Sequence, residues 1–140
     1  MMSVFQAMNI SASGLSAERL RMDVVAGNIA NQNTTRTENG EAYRRKIAVF
    51  SEQYVNSTEP SKTQVSGVRA TEIIEDDSAL QPVYDPTHPD ADEEGYYYLP
   101  NVDVLNEMVD LMVASRAYEA NVTAMNASKS MYMKALEIGR

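Results

Sequence analysis

Apolar positions along the chain form two long helical patterns, one at each end, separated by a polar middle. From Val102 to Ile138 there is no Pro or Gly, and the stretch is preceded by Pro100 and closed by Gly139. Pro just before a helix and Gly just after it is the usual asymmetry of helix ends. Two seven-residue series interleave in it: Val104, Leu111, Tyr118, Met125, Tyr132 and Met108, Ser115, Val122, Lys129, Leu136. Their alternating steps of three and four predict a coiled-coil seam, with Ser115 and Lys129 as weak points. Such a helix is roughly 55 Å long at about 1.5 Å per residue. A globule of this size needs less, so the helix seeks partners elsewhere in the chain or in other chains. Asn101 is placed to cap it, and Asp103 in the first turn suits the helix dipole.

The first pattern predicts a helix from Ser3 to about Ala30. One series runs Met8, Leu15, Met22, Ile29, and its companion runs Phe5, Ala12, Arg19, Ala26. Val4, Leu20, Val24 and Val25 lie outside that seam, so apolar residues wrap most of the circumference, and such a helix is normally covered on several sides. Two readings stay open: an ordinary core helix, or a helix packed among helices of neighbouring subunits. Gly14 and Gly27 each weaken it in isolation by about 1 kcal/mol relative to Ala. Asn28, Asn31 and Asn33, followed by Thr34 and Thr35, stop the helix, because short polar side chains bond to their own local backbone.

The middle reads as a small β-rich module. Asn39-Gly40 signals a turn. Tyr43–Phe50 and Val65–Ile74 are β-branched and aromatic enough for strands. Ser51–Lys62, with Pro60, reads as a loop, and Gly67 marks a bulge. Arg44-Arg45-Lys46 reads as a solvated strand face, with salt bridges to an acidic neighbour as the second reading. Tyr96-Tyr97-Tyr98 is extended and suited to anchoring the module. The expected fold is α+β, predominantly α: long N- and C-terminal helices packed as an antiparallel coiled coil with the small β-rich module inserted. Its parts are 1–35 (N-terminal helix and Asn-rich cap), 36–99 (inserted module) and 100–140 (C-terminal helix).

Charge and methionine sharpen this division. The net charge is −8 over 140 residues, and 36–99 carries nearly all of the excess. All nine methionines lie in 1–35 or 100–140. An acidic chain lacks the basic face that phosphate neutralisation needs, so nucleic acid is not an expected partner. There is no Cys, hence no disulfide framework and no Cys-ligated metal. No run of 18 apolar residues appears, and the N-terminus carries no pattern of a cleaved secretory signal. Sequons at Asn9, Asn33, Asn56, Asn121 and Asn126 therefore carry little weight as glycosylation sites.

One stretch offers material for chemistry. His88 sits among Asp85, Asp90, Asp92, Glu93 and Glu94, oxygen ligands suited to a hard cation such as calcium. EF-hand spacing is absent, and Pro82, Pro86 and Pro89 make the segment a turn-rich connector. No nucleophile motif or phosphate-binding glycine loop accompanies the histidine. The expectation is therefore no metal, no cofactor and no small-molecule substrate. A hydrolase built on His88 and a soluble coiled-coil adaptor forming a discrete dimer are the rival classes.

Ser13-Gly14-Leu15 together with Asn28-Ile29-Ala30-Asn31-x-Asn33-Thr34 resembles the N-terminal signature of bacterial flagellar axial proteins. Most of that group continue with Pro-Gly and an aromatic residue. Here Thr35-Arg36-Thr37 and Tyr43-Arg44-Arg45-Lys46 follow instead, as in the proximal-rod FlgC family. The loop Asp85–Tyr96 and the segments Glu107–Asp110 and Ser115–Asn121 resemble the same family. The resemblance implies a non-enzymatic structural subunit of the proximal rod, the torque-transmitting drive shaft of the flagellar basal body. It implies a periplasmic location reached through the flagellar type III export apparatus without a cleaved signal. Implied partners are other copies of the chain, other proximal-rod proteins and the adaptor joining rod to membrane ring. Expected subunit-interface residues are Met8, Leu15, Met22, Ile29, Leu111, Met112, Tyr118, Val122, Met125 and Tyr132. The family motif comprises Asn28, Ala30, Asn31, Asn33, Thr34 and Asn121.

Overall fold

Both terminal patterns become helices in the computed structural model, which describes residues 4–55 and 64–138. They are α1 (Val4–Ala30) and α2 (Val104–Ile138); between them lie β1 (Lys46–Val55), β2 (Gln64–Glu75), β3 (Gln81–Tyr84) and β4 (Tyr96–Leu99). The fold is α+β. Pro60, most of the expected 51–62 loop, the Asn56 sequon, and the helix-closing Gly139 lie outside the described residues.

α1 ends as its asparagines dictate. The Asn31 side chain donates to Gly27 O at 2.9 Å and its backbone N–H to the same carbonyl at 3.1 Å. At the start of α2 the cap is Asp103, not Asn101: Asp103 Oδ1 accepts from Leu105 N at 3.0 Å and from Asn106 N at 3.5 Å. A carboxylate there satisfies orphan N–H groups and meets the positive end of the helix dipole.

The helices run antiparallel. Asn28 meets Glu107 at one end, Gly14 abuts Asn121 in the middle, and the rings of Phe5 and Tyr132 meet edge-on at 5.2 Å. Gly14 is there for proximity: a Cβ on it would come within 3.0 Å of the Asn121 amide. On α2 the series Val104, Leu111, Tyr118, Met125, Tyr132 is half-buried. The companion series differs. Glu107, Ala114, Asn121 and Ser128 take the inward positions, while Met108 and Leu136 are exposed. The inner face is thus set three residues after each first-series position, and it is filled by small and polar side chains. On α1, Phe5, Ala12, Arg19 and Ala26 are exposed, and Met8, Leu15, Met22 and Ile29 are half-buried.

β1 and β2 form an antiparallel pair that lies against α1. The second covering surface of α1 is therefore its own strand pair. Ser13 makes the joint: its hydroxyl donates to Ile10 O at 2.7 Å and accepts from Val68 N at 3.1 Å. Beside it, Gly67 has φ +145°, and a Cβ there would overlap the Ser13 side chain. The register steps between Val49/Phe50 and Gln53/Tyr54 each leave one extra residue on β2, a bulge on either side. The expected bulge beside Gly67 is one of them. The expected loop beginning at Ser51 is instead strand as far as Val55. β3 and β4 form a second antiparallel pair, Gln81 opposite Leu99 and Tyr84 opposite Tyr96.

Little of this is a conventional core. The buried apolar residues among those described are Ala17, Val25, Ala42, Val102 and Ala114. The accessible surface is 10090 Å², against about 7200 Å² for a compact monomer of this mass. More surface stays exposed than on a compact monomer, with large apolar side chains such as Leu105, Met112 and Leu136 part of it.

Candidate functional site

At the junction of α1, α2 and the β module lies a polar knot. Asn28, in the last turn of α1, and Glu107, in the first turn of α2, are both 0% exposed. Asn28 Nδ2 donates to Glu107 Oε2 and to Lys46 O, each at 2.9 Å. Its Oδ1 accepts from Lys46 N at 2.9 Å and from the Tyr43 hydroxyl at 3.0 Å. Every polar valence of the amide is used. The other Glu107 oxygen accepts from Arg45 Nε at 2.6 Å, and Arg45 also reaches Asp110 at 3.4 Å and Asp76 at 3.7 Å.

A second layer fixes the first. Asn101 Oδ1 accepts from Arg45 N at 2.8 Å, and its amide donates to Asp76 O at 2.9 Å and Ser78 Oγ at 2.8 Å. Asn101 thus ties the entry to α2 to the end of β2 rather than capping the helix. Burial opposes the Arg45 charge. The bond to Glu107 and the charges of Glu107, Asp110 and Asp76 outweigh that, holding the guanidinium above its ordinary value. Burial, reinforced by the charges of Glu107 and Glu75, also pushes the Tyr43 phenol up. Of the three basic residues at 44–46, Arg45 follows the salt-bridging reading; Lys46 is exposed, its ammonium 5.6 Å from the Tyr43 ring centre.

The other motif residues divide. Thr34 donates to Asn31 Oδ1 at 3.1 Å, and its carbonyl accepts from Tyr43 N at 3.0 Å. Asn121 is half-buried and donates to Ala117 O at 3.0 Å. Ala30 and Asn33 are exposed. Sequence reasoning missed Glu107 and Arg45 as partners. The sequence periodicity pointed past Glu107, placing Met108 rather than Glu107 on the seam.

The His88 loop is structural in its bonding. His88 stacks on Tyr97 with ring centres 4.0 Å apart, and its Nδ1 accepts from Asp90 N at 3.1 Å. Asp85 accepts from the Thr87 hydroxyl and backbone at 2.6 and 3.0 Å, which hold its carboxyl below the ordinary range. Asp92 accepts from Glu94 N and Tyr96 N, and Asp90 from the Thr35 hydroxyl at 2.8 Å. These carboxylates fasten turns rather than converge on one point.

An exposed apolar stripe runs along the first half of α2: Leu105, Met108, Val109, Met112 and Val113, from 52% to 75% exposed. Of the expected interface residues, Met112 belongs to it. Leu111, Tyr118, Val122, Met125 and Tyr132, like the four on α1, are half-buried within the chain.

Known proteins share this arrangement of sequence. A family model described as flagella basal body rod protein matches residues 8–36, and one described as flagellar basal body rod FlgEFG protein C-terminal matches 93–138. The chain is 51% identical to the flagellar basal-body rod protein FlgC of Bacillus subtilis, over 99% of this chain and 100% of that one. It is 44% identical to FlgC of Borreliella burgdorferi over 98% of each, and 38% identical to FlgC of Salmonella typhimurium over 99% and 100%. The chain therefore belongs to the FlgC family of flagellar basal-body rod proteins, structural subunits of the flagellar rod.

Proposed function

We propose that this chain builds the proximal part of the rod and that the outward stripe of α2 is the surface through which it joins its neighbours. The carrying observation is the stripe itself: five large apolar side chains, each more than half exposed, within about three turns. Fully burying one such side chain stabilises by about 1.5–3 kcal/mol. Covering the exposed half of all five is worth about 4–8 kcal/mol before the costs of association. Methionine suits such a face, because an unbranched thioether adapts to slightly different neighbours.

The neighbours in this reading are further copies of the chain, other proximal-rod proteins and the adaptor to the membrane ring. Packing of α1 and α2 as a coiled-coil pair among such neighbours would carry torque across the periplasm. The same reading has the chain delivered by the flagellar type III export apparatus with no cleaved signal. Absence of disulfides and a sparse core fit a chain that is easily unfolded for passage.

The test is a pair of charged substitutions, L105D and M112D. Both side chains are exposed, so monomer stability should change by no more than about 0.5 kcal/mol. Rod incorporation and swimming should be lost. Normal motility in the double variant, at normal cellular protein level, would remove the stripe from the assembly surface.

A further inference from the structure

We infer that Glu107 with its two side-chain partners, together with Asn101 just before the helix, sets the register in which α2 pairs with α1. The inward positions of α2 repeat every seven residues, and their chemistry discriminates poorly: Val, Leu, Tyr, Met, Tyr in one series, Glu, Ala, Asn, Ser in the other. A slide by seven residues, about 10 Å along the helix, lays the seam back on itself, apolar side chains over apolar in one series and small or polar ones over each other in the other. Apolar packing alone distinguishes these alignments weakly.

Glu107 distinguishes them strongly. In the observed alignment its carboxylate, 0% exposed, has one oxygen on Asn28 and the other on Arg45. Both partners belong to a frame that does not include α2. Asn28 is bound to the backbone of Lys46 on both its donor and acceptor sides, and Arg45 O accepts from Asp76 N at 2.8 Å. A slide in either direction separates Glu107 from both and leaves Asn28 and Arg45 without it. A single polar seam residue with a fixed partner specifies alignment in coiled coils for the same reason. Gly14 against Asn121 adds a steric check at mid-helix.

The chain has no cysteine, so paired cysteines report the alignment without background. Phe5 and Tyr132 meet in the observed register, and F5C/Y132C reports it. F5C/M125C and A12C/Y132C report a slide of seven residues in the two directions. In the parent only the first pair should oxidise. In the N101A/R45M/E107L background, Asn28 keeps its bonds to Lys46 and Tyr43 while α2 and its entry lose their side-chain ties to the frame. Disulfides of the shifted pairs should then appear, with a matching loss of the native one and unchanged helical circular dichroism. In L111A, which thins the seam but spares the knot, only the native pair should form. Native disulfide alone in N101A/R45M/E107L overturns the inference. So does an equal shift in L111A, or loss of the helical signal in N101A/R45M/E107L, which would make the knot a requirement for folding. All readouts use the isolated full chain, so they stand apart from failure of rod assembly.

Discussion

Removing Arg45 tests the polar knot most severely. Arg45→Ala leaves the Glu107 carboxylate, 0% exposed, with the Asn28 amide as its remaining partner. Breaking a buried pair from one side costs about 3–5 kcal/mol, because the surviving charge stays desolvated. Two features favour the lower end: the Arg45 side chain is itself 26% exposed, and the Asn28 bond survives. The expected loss is about 3 kcal/mol. Against a total stability of about 5–15 kcal/mol this is large, and it corresponds to a fall in melting temperature on the order of 10 °C. Urea unfolding followed by circular dichroism measures it directly. R45M/E107L removes both charges together and should return to within about 1 kcal/mol of the parent. A loss under about 1 kcal/mol in R45A would refute the reasoning, since it would mean that Glu107 is solvated or rebonded once Arg45 has gone.

Three other outcomes are expected. Gly67→Ala should cost at least about 2 kcal/mol in chemical denaturation, from an unfavourable φ and from overlap with Ser13; S13G should recover only the steric share. The lowered carboxyl of Asp85 contributes stability above its ordinary value of 3.8 that is lost as pH falls through the lowered value. D85N should therefore flatten the acid limb of the stability-pH curve, and an unchanged limb would show that the turn bonds to Thr87 contribute nothing. Tyr118→Ala, at a half-buried seam position, should cost about 1–2 kcal/mol in the isolated chain. Its incorporation into purified basal bodies should fall further than that loss explains, and unchanged incorporation would place Tyr118 outside any subunit contact.

The helices were legible because their signals are long and redundant. Periodicity, Pro100 before α2 and the asparagines after α1 placed their bounds within about two residues. β1 and β2 were legible as β-branched runs, although β1 continues through polar Ser51–Gln53, where composition suggests a loop. β3 was not foreseen: four residues, one of them Pro82, carry no periodic signal. The inner face of α2 was half legible. Hydrophobicity marks Met108 and Leu136, yet the positions that turn inward are Glu107, Ala114, Asn121 and Ser128, chosen by close approach and hydrogen bonding. Asn101 carried a helix-cap signal and was drawn instead to Arg45, Asp76 and Ser78, partners that only the tertiary fold brings near. The same holds for Arg45 and Glu107, 62 residues apart, for which no local pattern exists.

The joint between Ser13 and the bulge beside Gly67 bears on the order of folding. The Asn28–Glu107 bond closes a loop of 79 residues, whereas Ser13 and Val68 are 55 apart. β1 and β2 pair over a far shorter span still. Closure entropy rises with loop length only slowly, but a contact cannot form before both partners exist. For a chain emerging from its N-terminus, α1 has no helical partner until α2 has followed. The strand pair is complete by Glu75 and can cover one side of α1 in the meantime. It thereby shortens the interval in which the first helix is open to the wrong neighbour.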